Sequence, residues 1–368
     1  MKISVPTETA PREQRVALAP DSVSRLIKQL KVEVAVQRGA GLRAGFRDEA
    51  YQASGATLVD GAAAFSGADV VAKVQPPSTA EIARIDSGAT LISLLRPGHS
   101  ADTSAALAQR QVTALALELV PRITRAQSMD VLSSQSTVAG YKAVLVGAST
   151  SGKFLPMLTT AAGNISPAKV FVIGAGVAGL QAIATARRLG GVVSAFDVRP
   201  AAREQVQSLG ATFVANELVS ESAEAAGGYA RAQTSDEQAR TLAAIANHIK
   251  DQDLVVTTAQ IPGKTAPILI TEEMVLSMRA GSVIVDLAAE TGGNCALSKP
   301  GEVVEVHDVT IIAPLNVAST VAFHASQMFG RNIFELLKHL VKDGALVLDP
   351  NDEITGAMMM THQGKVLR

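Results

Sequence analysis

The sequence contains no tryptophan, and aromatic residues make up only 3% of it. Platforms on which nucleobases stack are therefore not expected. The single cysteine, Cys295, can form neither an internal disulfide nor a thiolate zinc site, which suits a reducing compartment. The six histidines are scattered without ligand spacing, so no metal site is expected. Neither sign of charge is in excess, with 33 basic residues against 34 acidic ones. That balance leaves no electrostatic footprint for nucleic acid or an anionic membrane surface. No uncharged apolar run reaches the roughly 18 residues of a membrane span. The start, Met1 to Pro6 followed by charges, lacks the apolar stretch of a signal peptide. These absences point to the cytoplasm, with any membrane role supplied by a partner.

What is abundant is small and apolar: 47% of the residues are hydrophobic, and Gly numbers 29. A chain of 368 residues exceeds one ordinary hydrophobic core, so two lobes are expected. In the first third, apolar runs at Ile3–Val5, Val32–Val36, Val70–Val74, Thr90–Leu95 and Val112–Leu119 alternate with helix-like stretches. That is the pattern of βαβ units in a parallel sheet with helices on both sides. Asp21 and Ser22 are placed to cap a helix carrying Val23, Leu26, Ile27 and Leu30 on one face. A second series begins at Lys169, with runs at Val170–Ile173, Val192–Phe196, Ala211–Val214, Leu254–Thr258, Val283–Leu287 and Val309–Ile312. Six runs match a doubly wound nucleotide-binding domain. Ser133–Ile165 reads as a connecting helix, and Phe323–Val341 as an amphipathic helix returning to the first lobe. The expectation is an α/β protein of two Rossmann-like doubly wound parallel-sheet domains. The first spans residues 1–133 plus about 322–368, and the second about 134–321. The Met358–Met360 run reads as gap filling or partner contact rather than a cofactor face.

Gly174, Gly176 and Gly179 form G-x-G-x-x-G directly after the strand Val170–Ile173 and before a helix through Leu180, Ile183 and Leu189. Alone the motif is weak, but a second strand ending at Phe196 and an acid at Asp197 complete the roughly 30-residue unit of a dinucleotide site. Here Gly174, Ala175, Gly176, Val177 and Gly179 let the backbone approach a pyrophosphate, met by free N–H groups at the helix start. Asp197, followed by Val198 and Arg199, is placed to bind the adenine-side ribose and repel a 2′-phosphate, which favours NAD(H). Arg199 is itself able to hold a 2′-phosphate, so the choice stays open. Gly39, Gly41 and Gly45 have the wrong spacing for a second fingerprint and read as a turn.

Three further features can carry chemistry. The polar stretch Pro121–Ser136, with Arg122, Gln127, Asp130 and Ser133, is either a loop that closes a cleft or a solvated linker with capping serines. The Ala-, Gly- and Ser-rich insertion from Asn216 to Thr241, with Gly228 and Tyr229, is either a lid or an inert helical insertion. Arg15 and Lys73 are either anion clamps or surface charge, and His99, taken as the one histidine of the first lobe, has no partner that would mark it as catalytic.

At five blocks the chain resembles the NAD(H)-binding domain I of the proton-translocating NAD(P) transhydrogenases, a separate alpha subunit in some bacteria. The blocks are Arg122–Gln135 (RITRAQSMDVLSSQ), Gly174–Ala186 (GAGVAGLQAIATA), Ala226–Ala230 (AGGYA), Ile261–Lys264 (IPGK) and Asp286–Cys295 (DLAAETGGNC). The resemblance implies that Arg122 and Gln127 orient the nicotinamide and its ribose, that Asp130 and Ser133 hold their loop, and that Tyr229 tips a mobile lid beside Gly228. It also implies a homodimer, with NADP(H) on a partner subunit and a membrane-embedded subunit that docks it on the cytoplasmic face of the inner membrane. Hydride would then pass directly from NADH to NADP⁺, coupled to proton movement. More distantly the chain is similar to the alanine dehydrogenases, which share Arg15–Pro20 and Lys73 but place a catalytic histidine where Arg96 stands. An NAD-dependent amino-acid dehydrogenase is therefore one rival, and a non-enzymatic nucleotide sensor is another.

Overall fold

The computed structural model describes residues 1–368 except Ser100, 216–217, 219–230, 232–233 and 261–263. Its internal contacts divide the chain into one unit of residues 1–135 and 318–368 and a second of residues 136–317.

Among the described residues, the first unit is built on a sheet of eight strands. Their order is Lys365–Val366, Met359–His362, Thr113–Ala116, Thr90–Ser93, Val70–Ala72, Lys2–Val5, Glu33–Gln37 and Thr57–Val59. The six strands from Thr113–Ala116 to Thr57–Val59 run parallel. Val70–Ala72, Thr90–Ser93 and Thr113–Ala116 are buried throughout, which is why they read as unbroken apolar runs rather than alternating ones. The expected all-parallel sheet is corrected at one edge: Met359–His362 pairs antiparallel with Thr113–Ala116. The C-terminal segment supplies that edge, and Met358, Met359 and Met360 are all buried by it, which is gap filling.

The helix Ala322–Leu340 also returns to this unit. Ala325, Phe329, Ile333, Leu336, Leu337 and Leu340 recur at three- and four-residue intervals and are all buried. Because of this return, His324, His339 and His362 share the first unit with His99. The helix near Asp21 begins one residue earlier than expected. Pro20 takes the first helical position, so Asp21 and Ser22 fall inside the first turn and cap nothing.

The second unit has a seven-stranded sheet among the described residues, ordered Thr212–Phe213, Val192–Phe196, Lys169–Ile173, Leu254–Thr257, Val283–Asp286, Val309–Ile312 and Val303–Val306. Six strands are parallel, and Val303–Val306 adds an antiparallel edge. The order reverses beside Lys169–Ile173, so the carboxyl ends of that strand and of Leu254–Thr257 flank the switch point at which open α/β sheets bind ligands. The connecting helix spans Val131–Thr150 and stops short of Ile165. A hairpin, Leu158–Thr160 with Gly163–Ile165, follows it.

Candidate functional site

In the second unit, the strand Lys169–Ile173 runs into Gly174, whose φ of +92° is the left-handed turn that favours glycine. Its N–H donates to Phe196 O at 2.8 Å, and the helix Val177–Arg188 starts at once with Gly176 at its N-cap. A Cβ on Gly179 would lie 1.8 Å from Gly174 O, so the third glycine allows the helix to pack on the turn. A Cβ on Gly176 would meet nothing nearer than Arg199 Nη2 at 3.9 Å. Protein atoms thus leave the approach over Gly176 open. The first N–H groups of the helix have no intrahelical acceptor and carry the positive end of its dipole, which suits a phosphate.

Asp197 is buried directly after the neighbouring strand. One carboxylate oxygen accepts Ala175 N–H at 2.7 Å and Arg199 Nη2 at 2.8 Å; the other accepts Arg199 N and Nε, both at 2.9 Å. The acid that would bind a ribose therefore also holds the turn through Ala175. It engages the guanidinium that a 2′-phosphate would need.

The polar stretch lies in the first unit. Thr124–Met129 forms a 3-10 helix anchored by buried Ala126 and Met129, with Arg122 and Gln127 on its exposed side. Asp130 precedes the helix Val131–Thr150 and accepts from Ser133 N (2.9 Å) and Ser133 Oγ (2.7 Å). It is an N-cap, so of the two readings of this stretch the capping one holds for Asp130 and Ser133. Arg122, Gln127, Asp130 and Ser133 are brought together on this one segment, and Gly174–Gly179, Asp197, Val198 and Arg199 on the other unit.

Arg15 and Lys73 are not surface charges. Both are buried: Arg15 forks onto Glu13 at 2.7–2.9 Å and donates to Gln135 Oε1, while Lys73 lies 3.4 Å from Glu8 and 3.2 Å from Glu81. Burial raises the Glu8 carboxyl pKa, opposed by the Lys73 ammonium. At Glu81 burial also pushes upward, but Lys73 and the Ser78 hydrogen bonds outweigh it and leave the group lowered. Arg96, with φ +52°, donates through Nη2 to Gln75, which donates to Glu13. The cations are thus matched inside the protein.

Two domain models, described as the N-terminal and C-terminal domains of alanine dehydrogenase/PNT, match residues 4–139 and 143–368. The chain belongs to the alanine dehydrogenase/PNT family. Within it, the separately encoded first portion of the NAD(P) transhydrogenase alpha subunit from Rhodospirillum rubrum is 48% identical over 376 residues, covering 100% of this chain and 98% of that protein. The crystal structure of transhydrogenase from Sinorhizobium meliloti is similar with a TM-score of 0.91 and 46% identity, covering 100% of both chains. An L-alanine dehydrogenase structure is similar with a TM-score of 0.83 and 26% identity, covering 100% of this chain and 97% of that one.

In this alanine dehydrogenase/PNT chain Gly228 and Tyr229 lie outside the described residues. Other residues of the site were missed by sequence reasoning. Thr258 Oγ1 donates to Gly174 O at 2.9 Å, and Asn294 brackets Ala259 with Oδ1 and Nδ2 at 3.0 and 2.9 Å. Buried Asp286 accepts from Thr257 Oγ1, Ala288 N, Asn294 N, Cys295 N and Ser298 Oγ. This lattice fixes the two strand ends beside the glycine turn. Burial pushes the Cys295 thiol up to about 11, so it is no nucleophile at neutral pH. Gly140 was missed too: its Cβ would lie 2.0 Å from Ala178 O, so the connecting helix crosses the start of the glycine helix at backbone contact. The available signal was the pair Gly140 and Gly147, seven residues apart on one face.

Proposed function

We propose that this chain is the NAD(H)-binding subunit of a proton-translocating transhydrogenase. The supporting observation is the open glycine turn backed by Asp197, in a chain 48% identical to a transhydrogenase alpha subunit over its whole length. When bound, NADH supplies the hydride, and an NADP⁺ on a partner subunit receives it. This chain's residues contribute binding and orientation. Gly174, Ala175, Gly176, Val177 and Gly179 cradle the pyrophosphate; Asp197, with Val198 and Arg199, holds the adenine-side ribose. Arg122 and Gln127 orient the ring, while Asp130 and Ser133 keep their loop in shape, and Gly228 and Tyr229 belong to the closing lid. A transfer between two ring carbons requires no general base on the protein, only near contact and exclusion of water. A membrane-embedded subunit couples the reaction to proton movement and holds this subunit at the cytoplasmic face. The subunit is a homodimer; exposed Phe154, Met157 and Ile165 supply apolar surface for a second copy.

The self-contained dehydrogenase reading is weaker because Arg15 and Lys73 already neutralise Glu13, Glu8 and Glu81. The deciding experiment measures hydride transfer from NADH to an NADP analogue by the purified chain alone and mixed with its NADP-binding partner. Transfer is expected only in the mixture. Oxidation of L-alanine with NAD⁺ by the chain alone would sink the proposal.

Asp197→Asn isolates the ribose contact. Hydrogen bonds to a charged acceptor contribute about 1.5–3 kcal/mol, so NADH affinity should fall roughly 10- to 100-fold. The same change loosens Arg199 for a 2′-phosphate, so preference over NADPH should narrow. Fluorescence titration with both nucleotides checks this; an unchanged preference would remove Asp197 from the ribose site.

A further inference from the structure

The segment Arg122–Ser134 is tied to the C-terminal helix by one buried side chain. Asn332, on the helix Ala322–Leu340, donates from Nδ2 to Ser128 O at 2.7 Å and accepts at Oδ1 from Ser134 Oγ at 2.7 Å. It is 8% exposed, so both ends of its amide are spent on this segment away from bulk water. The two contacts bracket Met129–Ser133, where the 3-10 turn gives way to the helix capped by Asp130. Beside it, Gln135 Nε2 donates to Ala325 O one helical face away. The remaining tie, Arg125 with Asp352 and Glu353, is half exposed and contributes little in water.

We propose that Asn332 is a positioning residue that fixes the loop carrying Arg122 and Gln127. Its place in the reaction rests on the reading of that loop as the nicotinamide contact. A side chain amide matched at both ends specifies one loop geometry, whereas an apolar residue there would leave Ser128 O and Ser134 Oγ without it. Loss of two hydrogen bonds raises the open population of the loop roughly tenfold. A ring displaced by about 1 Å transfers hydride on the order of 100-fold more slowly.

The test uses the full chain with Asn332→Leu and, in case that variant folds poorly, Ser134→Ala, which cuts only one of the two bonds. Limited trypsin cleavage after Arg122 and Arg125 reports the loop without any cofactor. Hydride transfer in the mixture with the NADP-binding partner reports the reaction, and ADP affinity reports the adenosine half. Faster cleavage is expected in both variants and more so in Asn332→Leu. Transfer should slow with ADP affinity unchanged. Cleavage at the wild-type rate in both variants overturns the positioning role. Faster cleavage with undiminished transfer leaves the tie standing and removes the loop from the nicotinamide site. A wild-type mixture that transfers no hydride refutes the proposed function independently of Asn332.

Discussion

Gly179→Ala should cost both nucleotide binding and stability, whereas Gly176→Ala should cost binding alone. The added methyl at position 179 would sit 1.8 Å from Gly174 O and 2.8 Å from Gly174 C, and backbone cannot swing aside as a side chain does. The helix Val177–Arg188 must lift off the strand, which costs about 1–3 kcal/mol as overpacking and drags the turn with it. A displacement near 1 Å at the pyrophosphate cradle then lowers affinity on the order of 100-fold. At position 176 the φ of −75° suits alanine, and a Cβ meets only Arg199 Nη2 at 3.9 Å. That variant should melt like the parent, yet its methyl occupies the approach a phosphate would use. NADH fluorescence titration beside thermal unfolding separates the two. If both variants bind NADH as the parent does, the glycine turn is structural and the nucleotide lies elsewhere.

Legibility in the sequence followed how local each constraint is. The glycine turn was readable because its strand, turn, helix and acid fall within Lys169–Asp197 and each supports the next. The helix Ala322–Leu340 announced itself by its period alone. The hairpin Val303–Val306 with Val309–Ile312 was half missed because its outer strand alternates exposed and intermediate residues. Its turn, His307 and Asp308 at φ +50° and +58°, lacks the glycine that marks such turns. Gly140 is demanded by Ala178 O, a neighbour 38 positions away that no local pattern reveals. Within the candidate site, Asp197 was visible by spacing, but Thr258, Asp286 and Asn294 act through backbone groups of other strand ends, and backbone partners leave no trace in residue type.

Arg15 and Lys73 failed differently, since a lysine beside a strand looks the same whether it faces water or carboxylates, and Lys73→Met is the substitution that exposes the difference. The lysine is 1% exposed, and its ammonium lies between Glu8 at 3.4 Å and Glu81 at 3.2 Å. Glu8 is further held by Val74 N at 2.6 Å and Glu81 by Ser78 N at 2.7 Å, so neither acid can leave. Methionine fills the volume but strands two buried carboxylates, a loss of about 3–5 kcal/mol. The sign with pH is fixed by burial, which already raises Glu8 despite the lysine. Without Lys73 both acids have folded-state pKa values above the unfolded ones. Stability is then full below the unfolded values and falls as pH rises through the folded ones. Urea denaturation of Lys73→Met should therefore show a smaller deficit at pH 5 than at pH 8, and Glu81→Gln added to it should recover part of the loss. A pH-independent deficit would mean that packing, not charge, holds this corner of the sheet together.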